Sequence, residues 1–161
     1  MTIASCALLG AVGLTAPANA QVKSTVSTKA AQARSGKISY PSACLKGRAL
    51  CISKSRRTVT FLLNGKPQMT LAARFGSRSE PTREGRFKIT RMSRNHVSSI
   101  YHTPMPFAMF FSGGQAVHYS KGFARDGYRG ASHGCVNTRD KPRTGWIFDR
   151  VKVGDTVYVY R

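Results

Sequence analysis

The hexapeptide Ser132-His133-Gly134-Cys135-Val136-Asn137 contains the residues of this chain that are best suited to chemistry. A cysteine attacks carbonyl carbons as a thiolate, so it needs a nearby base or positive charge to lower its pKa from about 8.5. Two histidines offer that base, His133 inside the hexapeptide and His118 upstream of it. The segment therefore predicts a cysteine nucleophile for acyl transfer.

The two histidines differ in how they can reach the sulfur. His133 and Cys135 would project to the same face if the hexapeptide forms a strand. His118 lies in a predicted strand over residues 115–119, where alternation separates it from Val117 and Tyr119. A base on a separate strand can be aimed more freely, so His118 could face a site while its neighbours pack, and both histidines stay open as partners of Cys135.

Gly134 contributes in a different way. With no side chain, it lets the backbone before the sulfur approach a substrate closely, so consecutive N–H groups can collect a developing oxyanion. One such donor is typically worth ~3 kcal/mol of the reaction barrier.

The N-terminus has the pattern of an export signal. An apolar run from Ile3 to Leu14 is followed by the small residues Ala18-Asn19-Ala20, which predicts a signal peptide over 1–20 with cleavage before Gln21. A lipoprotein box ending at Cys6 and a buried N-terminal helix are the alternatives. The run is shorter than the roughly 20 residues that a membrane span needs, so no transmembrane segment is predicted.

Export also determines how the remaining cysteines are interpreted. Cleavage removes Cys6 and leaves three cysteines in an oxidising environment. Cys44 and Cys51 are close together in sequence and form the natural disulfide pair. Cys135 is then the odd thiol, which agrees with its use in chemistry.

The amino-acid composition and hydrophobic pattern of the chain change near residue 38. Residues 21–37 are rich in Ser, Thr, Ala, Gln and Lys without an apolar period, which predicts a flexible basic tether. The rest, 38–161, has the size of one domain. A hydrophobic fraction of 41% over 161 residues argues against wholesale disorder.

Short β-type runs dominate residues 38–161. Asn64-Gly65 predicts a tight hairpin turn between strands 58–63 and 68–71. Further strands are predicted at 86–90, 98–101, 108–111, 115–119 and 156–160. One helix is predicted over Lys141–Val151, with Asp140 as N-cap and Pro142 in its first turn. The fold class is therefore mainly β with one short helix.

These motifs resemble the L,D-transpeptidase catalytic domain, also called the YkuD-like domain. The similarity lies in His118 followed by the hexapeptide 132–137, in residues 81–87, and in the segment from Met105 to Gly114 that leads to His118. It covers roughly residues 49–161. The resemblance implies an L,D-transpeptidase-like β-sandwich and a cysteine acyltransferase that acts on bacterial peptidoglycan.

The resemblance also implies roles for individual residues. Cys135 would be the nucleophile and His118 the general base, oriented by the backbone carbonyl of Tyr119. The backbone N–H groups of His133, Gly134 and Cys135 would form the oxyanion hole, with the His133 side chain more structural than catalytic. No metal or organic cofactor is expected.

The substrate groove is expected around the same segment. Tyr101, Met105 and Phe107 are predicted to line it, although such residues are as often part of a core. Ser132 and Asn137 would brace the nucleophile loop beside the substrate. The implied partners are peptidoglycan stem peptides, and we expect an exported monomer in the cell wall or outside the cell.

A formal charge of +20 keeps a second class of function open. A cationic exported module could bind anionic wall polymers without catalysis. No nucleic-acid-binding motif is present, so a specific nucleic-acid partner is not expected. Two further alternatives are hydrolysis of the same acyl-enzyme, as in an L,D-carboxypeptidase or endopeptidase, and a zinc site built from Cys135, His133 and His118.

Overall fold

Nine strands and two helices make up most of residues 38–161, the part of the chain that this computed structural model describes. The predicted signal peptide and basic tether lie outside the described residues. The strands are β1 (Arg48–Ser53), β2 (Thr58–Leu63), β3 (Lys66–Arg74), β4 (Gly85–Lys88), β5 (Arg91–Val97), β6 (Pro104–Ser112), β7 (Gln115–Tyr119), β8 (Val136–Thr138) and β9 (Thr156–Tyr160). The helices are α1 (Lys121–Asp126) and α2 (Lys141–Phe148), and a short 3-10 helix spans Ser42–Cys44.

The strands form one curled, mixed sheet in the order β4-β9-β1-β2-β3-β8-β7-β6-β5. Most neighbours are antiparallel, and β1–β9 and β7–β8 are the parallel pairs among the described residues. Leu50 and Val59 from one half of the sheet share a buried cluster with Met109 and Val117 from the other half. This shared core explains the sandwich-like shape, and the predicted mainly β fold is confirmed.

The predicted hairpin forms between β2 and β3. Leu63 pairs with Lys66, and the two turn residues Asn64 and Gly65 have φ angles of +47° and +75°. Two consecutive positive φ angles match the right-handed twist of the flanking strands, which is why Asn-Gly is favoured there.

The predicted helix over 141–151 is present as α2. Asp140 caps it by accepting a hydrogen bond from the N–H of Arg143 at 3.0 Å, and Pro142 lies in its first turn. A second helix, α1, was not predicted from the sequence. It has only six residues and includes Gly122, so its one sequence signal is Ser120, whose side chain caps the N–H of Phe123 at 3.1 Å.

The strand predicted at 98–101 is wrong. These residues form a turn between β5 and β6, in which the side chain of Ser98 accepts a hydrogen bond from the N–H of Tyr101 at 3.1 Å. The carbonyl of Ser98 also accepts from His102, which has a positive φ of +49°. Side-chain hydrogen bonds of this kind let serine compete with sheet formation.

The predicted disulfide is present between Cys44 and Cys51. Both half-cystines are buried in a small cluster with Ala49 and Leu62, separate from the main core. Among residues 38–161 no helix has the length and apolar character to cross a membrane.

Candidate active site

Adjacent parallel strands bring the predicted catalytic residues together. In the β7–β8 pair, Val117 aligns with Val136 and His118 aligns with Asn137, and Cys135 directly precedes β8. The two valines face the main core. Because strand side chains alternate, the other set of residues, which includes His118 and Cys135, faces a cavity on the opposite side of the sheet.

The imidazole of His118 is buried and held in one orientation. Its residue is 7% exposed, and Nδ1 lies 2.7 Å from the backbone carbonyl oxygen of Tyr119. A carbonyl oxygen accepts only, so Nδ1 carries the hydrogen and Nε2 keeps its lone pair in the neutral ring. Burial lowers the pKa of His118 to about 4, against a smaller raising effect of the Tyr119 hydrogen bond. At neutral pH His118 is therefore an unprotonated base.

The thiol of Cys135 is the free cysteine of the described chain and is half-buried at the cavity wall. Burial raises its pKa, while a backbone hydrogen bond with Ala116 works in the opposite direction. The free site thus favours a neutral thiol and a neutral imidazole in the wall of one cavity. Such a pair can transfer its proton when the sulfur attacks, as in general-base catalysis.

The loop before Cys135 has a backbone that requires glycine. Gly134 has a φ of +95°, and a Cβ there would collide with the side-chain amide of Gln115. Within residues 38–161, the backbone N–H groups of His133 and Gly134 donate no hydrogen bond. The loop therefore offers unused donors next to the sulfur.

Hydroxyl groups hold this loop in place. Ser132 donates to the backbone carbonyl of Cys135 at 2.6 Å, and Thr82 contacts the same oxygen at 3.5 Å. Asn137 lies beside His118 in register and is 5% exposed, and its Oδ1 has no hydrogen-bond partner in the described chain. Ser132 and Asn137 both line the cavity.

The cavity has a volume of about 760 Å³. Tyr101 and Met105 line it. Its wall also carries cationic side chains from three parts of the chain. These are Arg83, Lys121, Arg125 and Lys141.

Phe107 does not line the cavity, which corrects the sequence-based expectation for this residue. Its φ is +59°, and this break shifts the alternation of β6, so that Met105 shares a cluster with Ala108 instead. The ring of Phe107 packs on helix α2, against Phe148 at 5.8 Å and directly over Gly145. Strict alternation would have placed Phe107 with Met105.

The side chain of His133 enters a cluster that the sequence did not reveal. Its ring stacks on Tyr101, with centroids 4.0 Å apart, and its Nδ1 contacts the carboxylate of Glu80. Tyr101 donates its hydroxyl hydrogen to the same carboxylate at 2.7 Å. Glu80 and His133 are far apart in sequence, and nothing in the local sequence around Glu80 marks it as a neighbour of the nucleophile.

Gln115 is a second residue of the site that sequence reasoning missed. Its amide donates to the carbonyl of Pro81 at 2.9 Å and accepts from the N–H of Arg83 at 3.0 Å. It thereby ties β7 to the segment 81–83. Among residues 38–161 no group of three or more His, Cys, Asp or Glu side chains is arranged to hold a metal ion, so the zinc interpretation finds no ligand cluster there.

Known proteins resemble this chain in sequence pattern and in fold. An L,D-transpeptidase from Stackebrandtia nassauensis superposes with a TM-score of 0.65 at 26% identity, covering 78% of this chain and 59% of that one. L,D-transpeptidase 1 of Mycobacterium tuberculosis superposes with a TM-score of 0.60 at 27% identity, covering 71% of this chain and 62% of that one. The structure of the L,D-transpeptidase LdtMt1 in complex with imipenem superposes with a TM-score of 0.63 at 29% identity, covering 71% of this chain and 59% of that one.

This chain spans 59% of the length of the Stackebrandtia structure that it matches. A search of curated proteins gives no significant match. The model of the family described as "L,D-transpeptidase catalytic domain" (YkuD) matches residues 47–159, which include the whole candidate site from Glu80 to Asn137. The chain therefore belongs to the L,D-transpeptidase catalytic domain family.

Proposed function

We propose that this protein is a peptidoglycan L,D-transpeptidase that works through a cysteine thioester. The observation that carries the proposal is the meeting of His118 and Cys135 in one cavity, with Nδ1 of His118 bonded to Tyr119 so that Nε2 remains free for the thiol. From the membership in this family we infer the class of substrate, which is the stem peptides of peptidoglycan.

The first half-reaction makes the acyl-enzyme. His118 Nε2 takes the proton of the Cys135 thiol while the sulfur attacks the carbonyl of the diamino-acid residue in a donor tetrapeptide stem. The C–N bond to the terminal D-alanine then breaks, and the departing amine takes the proton from His118. A thioester on Cys135 remains, and His118 is neutral again.

The negative charge of the tetrahedral intermediate needs donors that are already in place. The N–H groups of His133, Gly134 and Cys135 are the proposed oxyanion hole, and the absence of hydrogen bonds from the N–H groups of His133 and Gly134 within residues 38–161 supports this role. Ser132 and Asn137 are proposed to fix the loop and to contact the substrate.

The charge of the cavity wall suits an anionic peptide. Lys121 and Lys141 line the cavity and form no ion pair within the described chain. Stem peptides carry carboxylates, which these ammonium groups would attract. Tyr101 and Met105 are proposed to contact the less polar parts of the stem.

The disulfide and the net charge of the chain are consistent with a function outside the cytoplasm. The Cys44–Cys51 disulfide is consistent with export, because such bonds persist in oxidising compartments. The large positive charge would also favour contact with anionic wall polymers. We propose that the protein acts as an exported monomer in the cell wall or outside the cell.

Product analysis with a disaccharide-tetrapeptide substrate tests the proposal. We expect an acyl-enzyme at Cys135 by mass spectrometry, released D-alanine, and cross-linked dimers between two diamino-acid residues. Tripeptide without dimers would instead identify a hydrolase that uses the same acyl-enzyme. Cys135→Ala should abolish all products, whereas His102→Asn, at an exposed histidine that does not itself line the cavity, should retain them. If the wild-type protein forms neither adduct nor product, the proposed enzymatic function is wrong, and the alternative of a cationic module that binds wall polymers remains.

A further inference from the structure

Glu80 differs from every other carboxylate of the described chain in its partners. The protein has six acidic side chains, all within residues 38–161, against 26 lysines and arginines. Five of them form ion pairs with arginine or lysine. They are Glu84, Asp126, Asp140, Asp149 and Asp155. Glu80 instead contacts His133 and Tyr101, two residues of the cavity wall.

The three side chains form a fixed cluster beside the nucleophile. Tyr101 and His133 stack with their planes 13° apart, and the two oxygens of Glu80 each accept a hydrogen bond from one of them. These hydrogen bonds, first that of Tyr101 and then that of His133, lower the pKa of Glu80. The carboxylate is therefore ionised at neutral pH and holds both rings.

The backbone that carries Glu80 is attached to the nucleophile loop. Ser77 donates its N–H to the carbonyl of Ser132 at 3.1 Å, and Ser132 donates to Phe75 at 2.9 Å. A Cβ on Gly76 would lie 2.8 Å from the Cα of Gly134, so the two loops pack backbone to backbone. The position of Glu80 relative to Cys135 is thus fixed by main-chain contacts.

This cluster determines which nitrogen of His133 can act as a base. Nδ1 faces a carboxylate, which accepts only, so Nδ1 carries the hydrogen and Nε2 keeps the lone pair. His118 has the same arrangement, with the Tyr119 carbonyl in place of the carboxylate. The cavity therefore contains two imidazoles, and each is held in the tautomer that offers Nε2.

The two imidazoles differ in environment, and the difference suits the two half-reactions. His118 is buried, and its low pKa makes it a poor acceptor for a proton from an incoming ammonium group. The side chain of His133 is 55% exposed and contacts the Glu80 carboxylate through Nδ1, so a proton taken from an acceptor has a path to water.

We propose that His133 is the base of the second half-reaction, which deprotonates the acceptor ammonium group, and that Glu80 and Tyr101 are positioning residues that hold its ring. This inference rests on the proposed transpeptidase function. The cavity lining contains cations and no carboxylate, and Glu80 lies behind the lining residues Tyr101 and His133. Glu80 thereby supplies the negative charge that an ammonium group needs on approach.

The proton balance of this step is complete with groups of this chain. The acceptor ammonium gives one proton to Nε2 of His133, and the free amine forms a C–N bond with the thioester carbon. A second proton passes from that nitrogen through His118 to the sulfur as the C–S bond breaks. The products are the cross-linking amide and the neutral thiol of Cys135, and His133 releases its proton to solvent.

Single-turnover kinetics of Glu80→Gln can test the role of Glu80. Release of D-alanine from disaccharide-tetrapeptide reports acylation, and loss of the acyl-enzyme with increasing concentrations of an acceptor tetrapeptide reports transfer. We expect acylation within ~2-fold of wild type and the saturated transfer rate lower by ~10-fold or more, with partial recovery in Glu80→Asp. His133→Gln should show the same split with a larger loss of transfer. Glu84→Gln, four residues away and paired with Lys54, is the matched control and should change neither step.

Loss of both steps to the same degree, or of neither, in Glu80→Gln overturns the inference. Nitrogen NMR of the His133 ring gives a readout that does not depend on activity. We expect the Nδ1–H tautomer in wild type and in Glu84→Gln, and its loss in Glu80→Gln; an Nε2–H tautomer in wild type contradicts the inference. Wild-type protein with the expected tautomer but without an acyl-enzyme would refute the proposed function instead.

Discussion

The side-chain amide of Gln115 occupies the space that a Cβ on residue 134 would need. That amide is already engaged with the carbonyl of Pro81, so it cannot move without loss of a hydrogen bond that joins β7 to the segment 81–83. Gly134 has a φ of +95° as well, which disfavours any other residue. Two independent constraints therefore require glycine directly before the nucleophile.

We expect Gly134→Ala to lower the rate of Cys135 acylation by ~100-fold or more, because the displaced loop would misplace the oxyanion donors. Gly154→Ala is the matched control. Gly154 has a similar φ of +93° and lies outside the cavity lining, and a Cβ there meets no atom within 4 Å, so only the backbone strain of about 1 kcal/mol should appear. Acylation kinetics and urea unfolding of both variants measure the difference. Equal effects of the two substitutions on acylation would contradict the role of Gly134.

The pH dependence of acylation should reflect the low pKa of His118. Burial keeps this imidazole neutral down to about pH 4, where an ordinary histidine would be protonated below about pH 6.5. We therefore expect the second-order rate of the proposed Cys135 acylation by disaccharide-tetrapeptide to stay nearly constant from about pH 7 down to about pH 5, and to fall only near pH 4. Intact-mass measurements across this range test it, and a half-maximal rate near pH 6.5 would contradict the assignment of His118 as a buried neutral base.

The same burial predicts how stability depends on pH. In the unfolded chain His118 takes up a proton near pH 6.5, whereas in the folded protein it does so only near pH 4. Unfolding therefore gains a proton in this interval, and the free energy of unfolding should fall as the pH is lowered from about 6.5 to about 4, by up to about 3 kcal/mol from this residue. His118→Gln should lose less stability over that interval in urea titrations. His102→Asn, at an exposed histidine, should follow wild type, and an unchanged slope in His118→Gln would contradict the prediction.

The disulfide is expected to stabilise the domain without a role in catalysis. Cys44 and Cys51 lie in a cluster separate from the one that contains Cys135. Replacing both half-cystines by serine should lower the free energy of unfolding by ~2–3 kcal/mol and leave acylation of Cys135 at 25 °C within ~2-fold of wild type. Alkylation without reductant should label the peptide with Cys135 and spare those with Cys44 and Cys51. A large loss of acylation in the folded double variant would show that the two regions are coupled.

The sequence by itself determined most of the local structure. Asn64-Gly65 requires a turn with two positive φ angles, and Asp140 with Pro142 marks the start of α2, because turn and cap chemistry act over a few residues. The pairing of Cys44 with Cys51 also follows from short-range spacing, and it leaves Cys135 as the thiol predicted to be reactive. The one predicted strand that fails, at 98–101, fails because Ser98 hydrogen-bonds to its own turn.

Only the tertiary structure decided which distant residues share the site. The placement of His118 beside Cys135 needs the parallel β7–β8 pair, which no local pattern specifies. Phe107 leaves the cavity because a single positive φ reverses the alternation of β6, and its ring packs against Gly145 of helix α2 instead. Glu80 reaches His133 through contacts between two loops that lie far apart in the chain. Long-range contacts of this kind depend on how the curled sheet closes on its core, and the local patterns of the chain do not specify that closure.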